Sequence, residues 1–336
     1  MARFMQIISA IDTHTDGEPT RIVLSGIPPI IGETMAQKKQ YMKDKLDHIR
    51  TLLMQEPRGH KDMFGAIITP PTTNQSDYGI IFMDNSGYID MCGSGIIGAT
   101  TTLIEIGMIP IIEPETVVSF DTPAGLVECR AKIEESQVSQ VCVANVPSFL
   151  YAKDVEITLP DIGKILVDVS FGGNFFAIVQ AQALGVAVHP DNISTLIRLG
   201  MLVKKAVNEQ ISVQHPIEQH INTVKFTMIY EQPEAFVPFS QGVVIFGNGQ
   251  MDRCPCGTGT SALMATLYGK NQLPLGLNFT SQSIIGTTFK GKLVAKVNIG
   301  DMVAVNPILT GDAHITGIQQ FVVDANDPLK YGFVVG

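Results

Sequence analysis

Two short stretches of this 336-residue chain could do chemistry: Cys92-Gly93-Ser94-Gly95 and Cys256-Gly257-Thr258-Gly259. In each, a thiol precedes two glycines that flank a small hydroxyl residue. Glycine lets backbone N–H groups approach a bound anion closely. Where such a turn opens a helix, the first N–H groups are unpaired and the helix dipole favours negative charge. The same setting activates a cysteine by stabilising its thiolate. Each stretch therefore offers an activated thiol beside a cradle for a carboxylate or phosphate. Two facing thiols suit inversion of a stereocentre next to a carboxylate. That reaction needs a base on one face and an acid on the other, with donors for the charge that moves into the carboxylate.

Other chemistries compete for the same residues. Gly93-x-Gly95-x-x-Gly98 matches the dinucleotide fingerprint, and Gly257-x-Gly259-x-x-Ala262 its relaxed form. That fingerprint follows a buried strand, whereas Asp84-Asn85-Ser86-Gly87 and Asp252-Arg253-Cys254-Pro255 intervene here, so NAD and FAD are disfavoured. Cys254-x-Cys256 resembles half a metal site without a second half. His215 and His220 precede it with no Cys-x-x-Cys upstream, and His14, His60 and His314 are scattered, so no metal is expected. Cys129 and Cys142 fall in strand-like runs and read as core residues. The plain alternative for Cys92 and Cys256, cysteines packed inertly at helix starts, stays open at this point.

The elements that must position these thiols come in two sets. The cysteines lie 164 residues apart (256 − 92), about half the chain. Each is followed by a helical stretch, Thr100–Gly107 in the first copy and Met264–Tyr268 and beyond in the second. A weaker echo relates Ile8–Val23, through Asp16-Gly17, to Val167–Val179, through Gly172-Gly173. A duplication predicts two similar α/β domains, each contributing one turn. Strand-like runs cover Gln6–Ile11, Arg21–Leu24, Gly65–Thr69 and Gly79–Met83. Thr116–Phe120, Gly125–Ile133 and Val138–Val146 read as a small antiparallel meander. Ile193–Glu209 reads as a helix with Asn192 as N-cap. Lys38–Met54 reads as another, with Met42, Leu46, Ile49, Leu52 and Leu53 on its apolar face.

Composition bounds the setting. Hydrophobic residues make up 45% and charged residues 16%, so a large core can form and disorder is excluded as the main state. Twenty-three basic against 32 acidic side chains give a net charge of −9, which excludes the basic footprint that nucleic-acid binding requires. The most apolar stretch, around Gly93 to Ile112, is broken by Glu105 and Pro110, so no membrane span is expected. The N-terminus is too polar to read as a signal peptide. Five sparse cysteines argue against a disulfide framework and for a reducing, cytoplasmic setting.

Longer motifs resemble the proline racemase family, which includes the hydroxyproline 2-epimerases. They are Asp12-Thr13-His14-Thr15-Asp16-Gly17-Glu18-Pro19-Thr20-Arg21, Glu56-Pro57-Arg58-Gly59-His60-Lys61-Asp62-Met63-Phe64-Gly65, Met91-Cys92-Gly93, and the run Asp252 to Ala262. Ser170 to Phe176 and Asp327 to Phe333 extend the likeness over nearly the whole chain. The resemblance implies an α/β fold of the diaminopimelate epimerase-like kind. It has two pseudo-symmetric domains, each a β-barrel-like sheet around a central helix, with the active site between them. Residues 1–150 plus 325–336 would form the first domain and 151–324 the second. Cys92 and Cys256 would be the catalytic thiols. Gly93, Ser94, Gly257 and Thr258 would bind the substrate carboxylate, Asp252 its amine, and Phe64 and Phe246 would wall the ring. The implied activity is cofactor-independent proline racemisation, with 4-hydroxyproline 2-epimerisation as the alternative. The family forms homodimers. Two positions depart from the family pattern: Ser94 stands where His is common and Cys254 where Ser is usual. Cys256 disfavours trans-3-hydroxy-L-proline dehydration, whose enzymes usually carry Thr there, and the two thiols together disfavour a non-catalytic paralogue.

Overall fold

The computed structural model describes residues 4–232 and 237–335. In chain order the elements are β1 (Phe4–Thr15), β2 (Glu18–Ser25), α1 (Met35–Lys45), α2 (Asp47–Met54), β3 (Phe64–Thr69), β4 (Tyr78–Asp84), β5 (Tyr88–Ile89), α3 (Gly93–Glu105), β6 (Glu115–Thr122), β7 (Gly125–Glu134) and β8 (Gln137–Ala144). There follow β9 (Phe149–Leu159), β10 (Gly163–Phe171), β11 (Phe175–Gln180), α4 (Ile193–Gln210), β12 (Val224–Glu231), β13 (Phe239–Phe246), β14 (Gln250–Met251), α5 (Gly257–Gly269), β15 (Asn278–Gln282), β16 (Thr288–Ile299), β17 (Met302–Gly311) and β18 (Ala313–Asp324).

The chain divides into two compact units, residues 1–141 with 312–336, and residues 142–311. Their internal wiring is the same. In the first, β1 and β2 form an antiparallel hairpin, β2 runs parallel to β3, β3–β4 and β4–β5 are antiparallel, β4 is parallel to β6, and β6–β7 is antiparallel. In the second, β10–β11, β11–β12, β12–β13, β13–β14, β13–β15 and β15–β16 repeat that sequence of antiparallel and parallel steps in order. The duplication read from two tetrapeptides thus extends to these six successive pairings in each unit.

Each unit folds its strands about one helix. Gly93 to Ile104 of α3 and Gly257 to Leu267 of α5 are buried without interruption. The first helix packs against β1, β2, β3, β7 and β18, the second against β9, β10, β11, β16 and β17. A helix enclosed all round must be apolar on every face. Thr100 shows how a hydroxyl residue meets that demand, its Oγ1 donating to the Ile96 carbonyl at 2.8 Å. Small residues also let the strands approach closely. A Cβ on Gly98 would lie 2.7 Å from Thr13 Oγ1 of β1. Around the helices, fully buried Phe82, Phe120, Phe171 and Phe176 fill the cores, each contributing about 1.5–3 kcal/mol of transfer free energy.

Three boundaries differ from the sequence expectation. The returning segment of the first unit begins at Asp312, not 325, because β18 lies antiparallel to β1 from Thr15↔Ala313 to Phe4↔Asp324. The second unit begins at Cys142, not 151. Asn145 and Ser148 donate backbone hydrogen bonds to Pro307 and Val305, which ties this segment to β17. The single helix expected over Lys38–Met54 is two, broken at Leu46 (φ −127°, ψ 16°). Arg50 explains the redirection: paired with Asp47 at 2.7 Å, it also reaches the carbonyls of Asp84 and Asn85, which draws α2 toward the end of β4. The apolar face is still the expected one, Met42, Leu46, Ile49, Leu52 and Leu53 all being buried. Asn192 does precede α4, but its side chain donates to the Ala187 carbonyl instead of capping the helix.

Candidate active site

The first cysteine turn opens α3. Cys92 is the N-cap, in extended backbone (φ −138°, ψ 116°), and its carbonyl accepts the first helical hydrogen bond, from Ile96 N–H at 3.0 Å. Its sulfur takes the part that a serine or aspartate oxygen ordinarily plays at this position. Cys92 Sγ accepts the Gly95 N–H at 3.3 Å and lies 3.3 Å from Ser94 Oγ. Strand β1 braces the turn: with side chains alternating along the strand, Thr13 and Thr15 point inward, and Thr15 Oγ1 donates to the Ser94 carbonyl at 2.9 Å. Gly95 packs flat on Phe82, which a Cβ would approach to 3.0 Å.

The second turn opens α5 in the same way. Cys256 Sγ accepts the Gly259 N–H at 3.3 Å and lies 3.6 Å from Thr258 Oγ1, and the Cys256 carbonyl accepts from Thr260 N–H at 2.7 Å. One feature breaks the likeness. Cys256 has φ 62° and ψ 105°, a positive φ that non-glycine residues adopt at a cost of about 1–3 kcal/mol. Two consecutive side-chain turns lead into it. Asp252 Oδ1 accepts the Cys254 N–H at 3.0 Å, and Cys254 Sγ accepts the Cys256 N–H at 3.3 Å. Cys254 is buried, and its thiol does here what a serine hydroxyl would do. Behind the turn, Asn145 Nδ2 bridges the Gly172 carbonyl (3.0 Å) and Ser261 Oγ (2.9 Å).

All nine residues singled out in the sequence are buried or lie in buried turns. Cys92, Gly93 and Ser94 share one helix start. Cys256, Gly257 and Thr258 share the other, joined to Asp252 through Cys254. Phe246 ends β13 opposite Gln250 of β14, one hairpin before Asp252, with its ring 5.8 Å from that of Phe226. Phe64 begins β3 opposite Asp84. Asp84 folds the 84–87 turn by accepting from Ser86 and Gly87 N–H, while burial pushes its carboxyl up from the ordinary carboxylate range. Three further residues hold the two turns: Thr15 and Gly172, which lie within the longer sequence motifs, and Asn145, which carries no sequence signal. The alternation Thr13-x-Thr15 in a strand was the available signal.

Much of the N-terminal motif is structural. Arg21 holds Asp12 with both arms (2.8 and 2.9 Å), donates to the carbonyls of Leu53 and Arg58, and stacks on Phe321. At the turn, burial pushes the Asp16 carboxyl up to about 6, against the opposing pull of the hydrogen bond it accepts from the Asp312 N–H. Among the described residues no group of three or more His, Cys, Asp or Glu is arranged to hold a metal ion. His215 packs between Phe149 and Phe171. No helix among those residues is long and apolar enough to cross a membrane.

A duplicated unit of this topology, its strands folded about one enclosed helix, is the diaminopimelate epimerase-like fold. A phenazine biosynthesis protein of the PhzF family from Bacillus anthracis shares that fold alone, at TM-score 0.58 and 12% identity over 94% of this chain and 99% of that one. The chain belongs to the proline racemase family, whose sequence profile, described as proline racemase, matches residues 10–334. It is 50% identical over 334 residues to the proline racemase of Acetoanaerobium sticklandii, covering 99% of this chain and 100% of that one. The crystal structure of a hydroxyproline epimerase from Agrobacterium vitis with bound trans-4-hydroxy-L-proline matches at TM-score 0.95 and 33% identity, over 99% and 97% of the two chains.

Proposed function

We propose that this isomerase interconverts L- and D-proline without a cofactor, Cys92 and Cys256 transferring the protons. The observation that carries the reading is the pair of enclosed helices, each capped by a cysteine whose sulfur accepts an N–H three residues on, at 3.3 Å in both copies. The 50% identity to a proline racemase supports the substrate. One thiolate removes the Cα proton; the other thiol delivers its proton to the opposite face of Cα. The electron pair left on Cα spreads into the carboxylate, where N–H groups of Gly93, Ser94, Gly257 and Thr258 stabilise it. Asp252 binds the ring nitrogen, and Phe64 and Phe246 wall the ring methylenes. The positive end of each helix and the N–H donated to each sulfur favour the thiolate. One thiolate and one thiol must coexist, so kcat/KM follows a bell in pH, with two apparent pKa values belonging to the pair. A profile lacking either limb contradicts the pair. As the family resemblance implies, the active form is a homodimer, and the sparse, reduced cysteines fit a cytoplasmic location.

The relative with bound trans-4-hydroxy-L-proline favours one second reading, 4-hydroxyproline 2-epimerisation. Phe64 and Phe246, which the family resemblance implies beside the ring, carry no hydrogen-bonding group, and a ring hydroxyl buried unpaired against such side chains would cost about 1–3 kcal/mol. Proline is then favoured roughly ten- to a hundred-fold in kcat/KM. Polarimetry of the purified enzyme with L-proline, trans-4-hydroxy-L-proline and trans-3-hydroxy-L-proline in parallel tests this. Equal or higher kcat/KM for trans-4-hydroxy-L-proline promotes the epimerase reading over the racemase.

A further inference from the structure

Within a helix, a serine or threonine hydroxyl commonly donates to the carbonyl four residues back. Thr100 does so to Ile96 (2.8 Å), Ser261 to Gly257 (3.0 Å) and Thr266 to Ala262 (2.9 Å). Ser94 and Thr258 stand in the first turn, where no helical carbonyl lies behind them. Their hydroxyls meet sulfur instead, at 3.3 Å from Cys92 Sγ and 3.6 Å from Cys256 Sγ. Both residues are held in place. The Ser94 carbonyl accepts from Thr15 Oγ1, and the Thr258 carbonyl is so close to Gly172 that a Cβ there would come within 2.2 Å of it. Both are 3% exposed.

Each sulfur therefore has two kinds of partner. A backbone N–H, from Gly95 or Gly259, can only donate and favours the thiolate at all times. A hydroxyl donates to a thiolate and accepts from a thiol. Resting on the reading of Cys92 and Cys256 as the proton-transferring pair, we infer that the Ser94 and Thr258 hydroxyls are the adjustable partners of the two thiols. They reverse their hydrogen-bond direction with each turnover, so that either cysteine serves as base or as acid. As one thiolate takes the Cα proton and becomes a thiol, its hydroxyl changes from donor to acceptor. As the other thiol gives up its proton, the hydroxyl beside it turns to donate. One proton leaves Cα and one arrives, and no electrons are exchanged with a further reagent. The same pairing appears in both copies of the duplicated unit, which two unrelated packing contacts would not require.

The test compares Thr258→Val, Ser94→Ala, the double variant and the conservative Thr258→Ser. Two profiles are recorded for each: kcat/KM for L-proline against pH, and the ultraviolet absorbance of thiolate against pH. A hydrogen bond to a charged group is roughly twice as strong as one between neutral groups, so loss of the hydroxyl destabilises the thiolate more than the thiol. The thiols titrate as a pair, and the first proton leaves the cysteine that keeps its hydroxyl. In either single variant the alkaline limb moves up by about one pH unit while the acid limb hardly moves. In the double variant both limbs move up. Thr258→Ser restores the unaltered profile, which a loss of packing alone would not do. Should Thr258→Val fail to fold, Ser94→Ala decides. The absorbance titration reads the thiols whether or not proline is racemised. Absence of racemisation in the unaltered protein therefore overturns the pair, whereas an unmoved thiolate titration in both single variants overturns the role of the hydroxyls.

Discussion

Replacing Cys92 or Cys256 by serine lowers proline racemisation by about 10²- to 10⁴-fold, the range that one positioned acid or base contributes. A thiol has a reference pKa near 8.5, so a helix start can hold part of it as thiolate near neutral pH, whereas a serine hydroxyl there stays protonated. The substitution is structurally mild. Serine is among the best N-cap residues, and its hydroxyl can accept the Gly95 or Gly259 N–H that each sulfur now accepts. Melting temperatures should therefore change little, which separates loss of chemistry from loss of fold. In D₂O the unaltered enzyme should place deuterium at Cα of the product enantiomer, since the delivered proton comes from a thiol that has exchanged with solvent. Racemisation at the unaltered rate in Cys92→Ser would sink the two-thiol reading.

The thiol turns were legible because their signal is local and repeated: a rare residue, two glycines and a hydroxyl, twice at one offset. The helices behind them were only partly legible. The first was expected from Thr100, but it starts at Gly93. Gly-Ser-Gly-Ile-Ile-Gly has poor intrinsic helix propensity, and enclosure by the surrounding strands outweighs it. Non-local pairing left no local mark at all. Nothing in Ala313 to Asp324 announces that this strand returns to β1, some 300 residues earlier. The break at Leu46 follows from Arg50 reaching carbonyls at the end of β4, a contact with no sequence period. The backbone of Cys256 was hidden for a similar reason. Its tetrapeptide matches that of Cys92, yet its positive φ accompanies the Asp252–Cys254 turns upstream, where the first copy has Asp90-Met91 directly before the thiol.

A change in the second unit that touches neither thiol should also abolish most activity. Gly172 is packed against the first turn of α5, and a Cβ there would lie 2.2 Å from the Thr258 carbonyl oxygen and 2.6 Å from Ala262 N. These are backbone atoms at the start of an enclosed helix, so no side-chain rotation relieves the overlap. Either the β10–β11 turn or the helix start must move. Moving the turn strains the bond from Asn145 Nδ2 to the Gly172 carbonyl, and Asn145 is itself bonded to Ser261 of the helix. The helix start therefore shifts by several tenths of an ångström or more, carrying Cys256, Gly257 and Thr258 with it. A misplacement on the order of 1 Å costs about 100-fold in rate, and overpacking a filled core costs about 1–3 kcal/mol in stability. Gly172→Ala is thus expected to lose about 10- to 100-fold in kcat while remaining folded by circular dichroism. Gly87→Ala serves as the control, because the space around its Cβ is open to 4 Å. Near-normal kcat in Gly172→Ala, or an equal loss in Gly87→Ala, would show that the position of the α5 start does not govern the reaction.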